Sequence, residues 1–453
     1  MSNPEKVDKA TTIETFGIEH IPGNERHGSP GRVFTLWFAA NLTIADYVIG
    51  VLCVLVFGLT VLQAIPVLIV GNILGGLVVG LSAAMGPKLG YPQMFSSRSS
   101  FGKRGNYVLA ALNWISTVGW FTVNTILGTE ALQVILPNFN FYVAATLLVV
   151  VQVLIAIYGH DFIHLFEKIM SVVLGILWLG IFVVTIPHFG QALSFVPVGG
   201  SPTNPAASAI GTVLVASFSY IMSWAPYASD YSRYLPVSSS TKKVTVFALA
   251  GGAIASFALE VIGALVGSVT QKISNYFAAL YSFAGSLGVL AIVTIILGAI
   301  AANALNIYTN SLTALVLDVK TKRWATVVVG GIVGLVLSLY GGTNFEVFYE
   351  NFLLILAYWI TPWLAIVLVD FFILKRTTKE RCANPKMWDI PALAIYGLSI
   401  LLSVPFMVPP PPLSTGKVIG VLSSWFGGAD FSYYISFAIA GILYYVYRRR
   451  SQG

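Results

Sequence analysis

The stretch AIGTVLVASFSYIMSWAPYASDYSRYLP, residues 209–236, is long enough to cross a membrane but does not have the pattern of one continuous helix. It begins as an apolar helix, meets three serines and then places Trp224 beside Pro226. It ends on the charged pair Asp230 and Arg233. In hydrocarbon each unsatisfied backbone amide costs several kcal/mol, so irregular backbone survives only where it lines a cavity inside the protein. A large aromatic side chain next to a helix break predicts a substrate platform, and the stretch therefore indicates a transporter.

The composition is that of a membrane protein along the whole chain. Of the 453 residues, 57% are hydrophobic and 9% are charged, against about 25% charged residues in an ordinary soluble domain. Apolar runs of roughly 20 residues, each long enough to cross a bilayer core, leave no room for a separate soluble domain. We predict an all-α integral membrane protein with twelve transmembrane helices, called spans 1 to 12 below, at about 34–58, 63–86, 106–135, 140–158, 166–187, 209–228, 245–270, 286–317, 325–341, 350–374, 390–409 and 430–447.

The Lys and Arg residues are distributed unevenly between the two sides that these spans define. If the N-terminus is cytoplasmic, 23 of the 25 basic residues fall in cytoplasmic segments, and only Lys272 and Lys417 do not. The positive-inside rule then places both termini in the cytoplasm and supports an even number of spans. The net charge of +7 is thus a signal of topology in a cell membrane, and it does not indicate a nucleic-acid partner.

The order of the spans is compatible with an inverted repeat, in which two halves of the chain lie in opposite orientations in the membrane. We expect spans 1–5 and 6–10 to form a ten-helix transport core over residues 34–375. Residues 1–33 would be a cytoplasmic tail, and residues 376–453 would hold two additional helices and a cytoplasmic C-terminus. Span 1 would mirror span 6, and span 3 would mirror span 8. Twelve helices without internal symmetry are the alternative.

Span 3 carries a polar stripe within the sequence NWISTVGWFTVNTILGTE, residues 113–130. Asn113, Thr117, Trp120 and Asn124 are spaced four, three and four residues apart, so they share one helical face. Small and polar residues also pack membrane helices together, which is the structural alternative. An aromatic ring stacks on a flat ligand and an amide offers it both a donor and an acceptor, so we favour a ligand-binding face.

Span 8 carries a second stripe, in which Asn303, Asn306 and Asn310 again share one face and Thr309 lies beside them. Their neutral oxygen atoms are ligands that a hard monovalent cation accepts. Backbone carbonyl groups at a break in span 1, between Ala39 and Leu42, would complete such a site. Interhelical hydrogen bonding without a cation is the alternative.

Three acidic residues fall inside the predicted spans, where an ionisable side chain is a functional candidate by default. Asp46 is the deepest of them, and we expect it to carry a proton or to face the cation pathway. Glu130 and Glu260 are candidates as well, but solvation near the extracellular ends of their spans is an equally open interpretation.

Two further groups lie at the cytoplasmic ends of spans. We expect Asp230 to pair with Arg233 or with Arg98 and to act as a gate. His160 and His164 stand four residues apart, as a metal pair on a helix does, but no third ligand accompanies them in the sequence. We therefore interpret them as loop histidines and predict no metal site apart from a possible sodium ion.

These features resemble the nucleobase–cation symporter family, which comprises the purine/cytosine permeases and their hydantoin and allantoin relatives. The resemblance covers about residues 15–448. Each motif is weak in isolation, and together they are specific. The motifs that carry it are VGWFTVN at 118–124, SWAPYASDYSRYLP at 223–236, LNIYTNSL at 305–312 and ENFLLILAYWITPWLAIVLVDFF at 350–372.

The resemblance implies a LeuT-like fold of two inverted five-helix repeats, with spans 1 and 6 broken, that works by alternating access. It implies that Trp120 and Trp224 sandwich a planar base while Asn124 hydrogen-bonds the edge of that base. By the same resemblance, Asn306 serves both the substrate and the cation. Together with the polar stripes, it predicts a substrate site of Thr117, Trp120, Asn124, Ser223, Trp224 and Asn306, and a cation site of Ala39, Leu42, Asn306, Thr309 and Asn310.

The position of Asn310 leaves the coupling ion open between Na⁺ and H⁺. In the family that the chain resembles, sodium-coupled members often have a hydroxyl there, whereas an amide oxygen also coordinates sodium. We expect secondary active import of a nucleobase, cytosine or purines, by a monomer in the lipid bilayer that uses no cofactor besides the coupling ion. Allantoin, hydantoin, uracil or thiamine-like substrates are alternatives within the class. A passive channel is the alternative from another class, and we see no motif of an enzyme.

Overall fold

The computed structural model describes residues 12–197, 206–271, 275–341, 345–408, 420–426 and 428–451, and within these ranges every regular element is a helix. The helices of ten residues or more are α1 (Gly31–Ala40), α2 (Ile44–Leu55), α3 (Val61–Leu89), α4 (Gly105–Ile135), α5 (Phe141–Tyr158), α6 (His160–Thr185), α7 (Ala206–Met222), α8 (Thr241–Thr270), α9 (Gly288–Val316), α10 (Arg323–Gly341), α11 (Phe345–Leu368), α12 (Ile390–Ser403) and α13 (Ser432–Arg450).

Most of these helices have the length and composition of membrane spans. Among the described residues, eight helices are long and apolar enough to cross a bilayer, and the bent pair α1 and α2 makes a ninth if it counts as one span. The helices at predicted spans 3 and 12, α4 and α13, are not among them because their polar residues lower the mean hydropathy. The all-α membrane class is confirmed, and the count of twelve spans stays a prediction.

Span 1 is broken at residues 41–43, and its two halves, α1 and α2, meet at an angle of 58°. Asn41 Nδ2 donates to the Trp37 carbonyl at 2.7 Å, which satisfies one of the carbonyls that α1 leaves at its end. Thr43 has extended backbone angles (φ −116°, ψ 160°), so the chain leaves the helical conformation before α2 begins. The predicted break in span 1 is confirmed.

Span 6 is interrupted one turn before its charged end. Helix α7 stops at Met222, a 3₁₀ turn covers Ala225–Tyr227, and a five-residue helix covers Ala228–Ser232. Pro226 has no backbone N–H to continue the α-helical ladder. The Ser223 hydroxyl donates to the Tyr220 carbonyl at 2.6 Å and satisfies an acceptor that the interruption frees. The break predicted from the sequence SWAP, residues 223–226, is therefore confirmed.

Glycines let the helices around these breaks approach closely. A Cβ atom on Gly50 of α2 would lie 1.9 Å from the Glu260 carbonyl oxygen of α8. A Cβ atom on Gly298 of α9 would lie 2.5 Å from the Leu42 carbonyl oxygen, at the break in span 1. Any larger residue would push these backbones apart. Span 8 thus packs on the break in span 1, as the predicted cation site requires.

Candidate functional site

The two breaks are joined by Trp224. Its indole Nε1 donates to Asn41 Oδ1 at 3.0 Å, which ties the interruption of span 6 to the interruption of span 1. The Trp224 ring lies with its edge toward Trp37, at a centroid distance of 5.4 Å, and toward Tyr227, at 5.2 Å. These are favourable edge-to-face separations. One predicted aromatic wall of the site is therefore built at the meeting point of the broken helices.

The second predicted wall, Trp120 of α4, packs against span 6 one helical turn earlier. Its ring centroid lies 5.4 Å from that of Tyr220 and 5.4 Å from that of Phe352, both in edge-to-face geometry. Trp120 contacts Tyr220, which precedes Trp224 by four residues. The two indoles therefore lie at neighbouring positions along span 6. The sandwich of a ligand between the two indoles stays a prediction.

Three asparagines and a tyrosine form a buried hydrogen-bonded group between spans 3, 6 and 8, which we call the amide cluster. Asn303 Oδ1 accepts from Asn124 Nδ2 and from Asn306 Nδ2, both at 3.2 Å. The Tyr227 hydroxyl donates to Asn306 Oδ1 at 3.4 Å. The Asn303 amide nitrogen in turn donates to the Phe121 carbonyl at 2.9 Å. Asn303 is thus the centre of the cluster, although the predicted substrate site did not include it.

One acceptor in the amide cluster is unused. Asn124 is 3% exposed, and its Oδ1 accepts no hydrogen bond from any described residue. A buried amide oxygen without a partner costs roughly 1–3 kcal/mol. This oxygen lies one helical turn from Trp120, so a flat ligand stacked on that indole would reach it with an N–H donor. Predicted residues Trp120, Asn124 and Asn306 therefore belong to one region.

The two predicted hydroxyl groups are engaged elsewhere. Ser223 Oγ bonds the end of α7, as described above. Thr117 Oγ1 donates to the Asn113 carbonyl at 3.0 Å and accepts from Asn310 Nδ2 at 2.9 Å. Thr117 lies two turns from Asn124 along α4, so the structure does not bring it to the amide cluster.

The five predicted cation-binding residues fall into separate groups. The Ala39 carbonyl accepts from the Leu42 amide at 3.1 Å within the break of span 1. Thr309 Oγ1 donates to Asp230 Oδ2 at 2.8 Å, and Asn310 Nδ2 also donates to the Trp114 carbonyl at 3.1 Å, which places Asn310 toward span 3. The remaining predicted ligand, Asn306, belongs to the amide cluster. The described contacts do not bring these side chains onto the carbonyl groups of span 1.

The predicted ion pairs of Asp230 are wrong. Its Oδ1 accepts from the Gln93 amide at 2.8 Å, and its Oδ2 accepts from Thr309. Arg233 instead pairs with Glu14 at 3.2 Å, and Arg98 pairs with Asp318 at 3.4 Å. Both guanidinium groups form ion pairs with carboxylates outside span 6. Asp230 instead accepts hydrogen bonds from neutral donors. Asp230 therefore connects spans 6 and 8 with the loop after span 2.

A charged group at the same end of the molecule involves the N-terminal segment, and we call Glu14, Arg233, Tyr308 and Arg323 the tail cluster. Besides Arg233, Glu14 approaches Arg323 at 3.6 Å, and it accepts from the Tyr308 hydroxyl at 3.1 Å. Burial alone would raise the pKa of Glu14, but Arg323 and Arg233 outweigh it and leave that pKa below its ordinary value. Sequence reasoning treated residues 1–33 as a tail and missed this contact, because a lone glutamate carries no local signal of its partners.

The histidines near span 5 also differ from expectation. His160 and His164 lie in the first turns of α6, and their Nε2 atoms approach the Tyr231 carbonyl at 3.2 and 2.9 Å. His27 of the N-terminal segment lies 2.6 Å from Asp161, which also contacts His160 at 3.2 Å. Three possible metal ligands do lie together, but they are His27, His160 and Asp161, and His164 is not among them. The contacts in this group are hydrogen bonds that tie the N-terminal segment to spans 5 and 6.

Comparisons with known proteins identify the family. A profile described as a permease for cytosine/purines, uracil, thiamine and allantoin matches residues 20–435. The chain is 31% identical to a putative purine-cytosine permease, YxlA, of Bacillus subtilis over 96% of this chain and 95% of the relative. It is 26% identical to the purine-cytosine permease fcyB of Emericella nidulans, over 95% of this chain and 87% of that one.

Solved structures show the same fold. The nucleobase-cation-symport-1 family transporter Mhp1, in a closed conformation with bromovinylhydantoin bound, superposes with a TM-score of 0.75 at 18% identity, over 99% of this chain and 95% of that one. A Na⁺-coupled sialic acid symporter superposes with a TM-score of 0.64 at 14% identity, over 94% and 91% of the two chains. The prediction of a transporter and not an enzyme is confirmed, and the chain belongs to the family of permeases for cytosine/purines, uracil, thiamine and allantoin.

Proposed function

We propose that this protein imports a nucleobase, cytosine or a purine, by cation symport through alternating access. The observation that carries the proposal is the unused Asn124 Oδ1, buried one turn from the Trp120 ring and joined to spans 6 and 8 by the amide cluster. Nucleobases combine a flat aromatic face with N–H donors and carbonyl acceptors on one edge. An indole and an amide match these two features separately.

The predicted site residues have distinct roles in this proposal. Trp120 and Trp224 stack on the two faces of the base, and Asn124 and Asn306 recognise its edge. Thr117 and Ser223 line the site only if spans 3 and 6 rearrange when it opens, because both hydroxyl groups are engaged in the present structure. Stacking tolerates any flat ring, so the amide groups of Asn124 and Asn306 would determine which substrate is bound.

The names of relatives support the substrate class. Several are called purine-cytosine permeases, and the family description also includes uracil, thiamine and allantoin. Mhp1 has been solved with a hydantoin bound, so the related heterocycles stay alternatives for this chain. A competition assay decides among them.

A cation gradient is the proposed energy source. Mhp1 is a nucleobase-cation-symport-1 transporter and the sialic acid transporter is Na⁺-coupled. The proposed sodium ligands are the carbonyl groups of Ala39 and Leu42 with the side chains of Asn306, Thr309 and Asn310, in a state in which Thr309 is released from Asp230. A proton is the other candidate for the coupling ion.

The proposed topology follows the distribution of basic residues. We propose that both termini face the cytoplasm across a cell membrane, that residues 34–375 form the inverted-repeat core and that residues 376–453 add two peripheral helices. The protein would act as a monomer. The tail cluster then lies at the cytoplasmic end of spans 6 and 8.

Uptake into proteoliposomes tests the function. Purified protein should accumulate radiolabelled cytosine or adenine under an imposed sodium or proton gradient, and an ionophore that collapses the gradient should abolish the accumulation. Competition by unlabelled cytosine, adenine, guanine, uracil, allantoin, hydantoin and thiamine ranks the substrates. Saturable uptake that never exceeds the external concentration would identify a passive facilitator, and the absence of uptake of every purine and pyrimidine base would refute the proposal.

A further inference from the structure

Two fully buried carboxyl groups face each other across spans 1 and 7. Asp46 of α2 and Glu260 of α8 are both 0% exposed, and the two groups repel each other electrostatically. The alternative that Glu260 is solvated near the extracellular end of its span is therefore wrong. The helices that carry the pair touch at Gly50 and Glu260, as described above, so the protein holds the two acids together in its dry interior.

The groups that hydrogen-bond to this pair are neutral. Glu260 Oε2 accepts from Asn72 Nδ2 of α3 and from Ser217 Oγ of α7, the latter at 3.3 Å. Asp46 Oδ2 accepts from Thr43 Oγ1 at 3.4 Å, and Ser256 of α8 lies next to it. The other titratable groups that interact with the pair are Tyr220 and Cys53.

The pair has no cationic partner in the part of the chain that the structure describes. No Lys, Arg or His side chain there forms an ion pair or a hydrogen bond with either carboxyl group. Two carboxylates that ionise together in such a place repel each other strongly, because the interior screens charge weakly and desolvation of each ion costs several kcal/mol. At least one positive charge, most simply one proton, must reside at the pair.

A third oxygen atom points to the same ligand. Asn72 is 1% exposed, its amide nitrogen donates to Glu260, and its Oδ1 accepts no hydrogen bond. Asp46 Oδ1 and Glu260 Oε1 are likewise without a donor. A proton on either carboxyl group would supply the missing donor. The amide of Asn72 suits both forms of Glu260, since it donates to the carboxylate and accepts from the acid.

The pair is connected to the proposed substrate site through Tyr220. Its hydroxyl lies 2.9 Å from Thr43 Oγ1, the group that donates to Asp46, and its ring packs on Trp120 at 5.4 Å. Ser217, the partner of Glu260, precedes Tyr220 by three residues on the same face of α7. Movement of Trp120 around a ligand would therefore change the surroundings of both acids.

We propose that Asp46 and Glu260 form a proton-binding site that couples transport to the proton gradient, a proposal that rests on the proposed function. One proton stays at the pair, and coupling uses a second proton, which the pair takes from water on the side to which the site is open as a second carboxyl O–H bond forms. The same bond breaks when the proton returns to water on the other side. This site is distinct from the predicted cation site at spans 1 and 8, and it resolves the choice of coupling ion in favour of H⁺.

Infrared difference spectroscopy on the purified protein tests the site without any substrate. Between mildly acidic and alkaline buffer the wild type should lose the C=O stretch of a protonated carboxylic acid, and this change should be absent from Asp46→Asn and Glu260→Gln. Glu167→Gln is the matched control. Glu167 is also 0% exposed, and neither of its carboxyl oxygens has a hydrogen-bond partner among the described residues, but it lies on α6 and has no electrostatic interaction with the pair. Its variant should retain the change.

A transport measurement tests the coupling. In proteoliposomes, Asp46→Asn and Glu260→Gln should lose accumulation driven by a proton gradient but retain exchange of labelled for unlabelled base, which needs no net proton movement. Glu167→Gln should retain both. Accumulation in both pair variants with the pH dependence of the wild type would overturn the proposal. A carboxyl band that responds to sodium at constant pH and not to pH would overturn the assignment to protons.

The two proposals fail in different ways. If the wild type binds no base in any assay but shows the carboxyl change, the nucleobase function is refuted and the proton site stands. If the base is transported and the carboxyl change survives in both pair variants, the proton site is refuted and the function stands.

Discussion

The amide cluster and the tail cluster are both buried and polar, but they are made of different chemistry. The amide cluster joins spans 3, 6 and 8 with neutral groups and leaves Asn124 Oδ1 without a donor. The tail cluster places one carboxylate, Glu14, between two guanidinium groups, Arg233 and Arg323. A neutral network with an unused acceptor is suited to bind a ligand. A network of opposite charges is suited to hold two segments together.

In the proposed function, the amide cluster recognises the base and the tail cluster attaches the N-terminal segment. The unused acceptor lies near the breaks of spans 1 and 6, where backbone groups are already irregular. The tail cluster lies at the end of span 6 and binds a segment that precedes the first span. The predictions below perturb the aromatic wall, the amide cluster and the tail cluster, and the Asn124 and Glu14 variants are tested for both base binding and attachment of the tail.

The largest effect is expected at the aromatic wall. Trp120→Ala should abolish saturable uptake, because a stacked base loses one of its two faces, whereas Trp120→Phe should retain part of it. Uptake in proteoliposomes measures both, and circular dichroism checks that the helices persist. Trp425→Ala serves as the control, since that side chain is 75% exposed. Normal affinity in Trp120→Ala would contradict the stacking model.

A smaller effect is expected at the amide cluster. Asn124→Ala removes the acceptor that we assign to the base, and loss of a hydrogen bond worth about 1–3 kcal/mol should weaken binding by about fivefold to hundredfold. Scintillation proximity binding of labelled base measures the Kd. The N-terminal segment should stay as resistant to trypsin in this variant as in the wild type. Unchanged affinity would mean that the acceptor serves only the helix packing.

Loss of the tail carboxylate should loosen the N-terminal segment. Glu14→Gln leaves Arg233 and Arg323 without their anionic partner, so trypsin should cleave after Arg26 several-fold faster, while the Kd for the base changes little. Arg26 is a sensitive reporter because its side chain is held by the Pro87 carbonyl at 2.5 Å. Glu19→Gln is the control, since the hydrogen bond that Glu19 makes among the described residues is within its own turn, to the Gly17 amide. Equal cleavage rates in the two variants would argue against the tail cluster as an attachment.

The smallest effect is expected from pH. The pKa of Glu14 lies below its ordinary value in the folded protein, so its ionised form stabilises the attachment at neutral pH. That contribution disappears only as pH falls through the lowered pKa. Protection of the tail, measured by hydrogen exchange, should be constant from pH 7 to about 5 and decline only below about pH 4. Release of the tail near pH 6 would show that a group other than Glu14 controls it.

Much of the fold was predictable because membrane helices carry strong local signals. The apolar runs predicted α3 and α5 to α11, and the SWAP sequence predicted the interruption at Pro226. The polar spacing in spans 3 and 8 predicted that Asn124 and Asn306 each lie on the polar face of their own helix. These signals are contained within single segments.

The errors concern contacts between segments that are far apart in the chain. Asp230 was paired with Arg233 because they are neighbours in sequence, yet Arg233 turns to Glu14, 219 positions away. Glu260 was left as a solvated alternative, yet it is packed among spans 1, 2 and 6. Asn303 was recognised as part of a stripe but not as its centre. The spacing of residues along one helix does not indicate which side chain of another helix will contact them.

The sequence of this chain was sufficient for its all-helical membrane class, most of its apolar helices, its broken helices and its family, because hydrophobic length, proline and residue spacing act locally. Only the tertiary structure determined that Asn303 links Asn124 to Asn306, that Glu14 attaches the N-terminal segment and that Asp46 and Glu260 share one dry site. Those arrangements depend on which helices meet and at what depth. Which helices meet is set by close packing at glycines such as Gly50 and Gly298. Such packing is a property of the assembled helices.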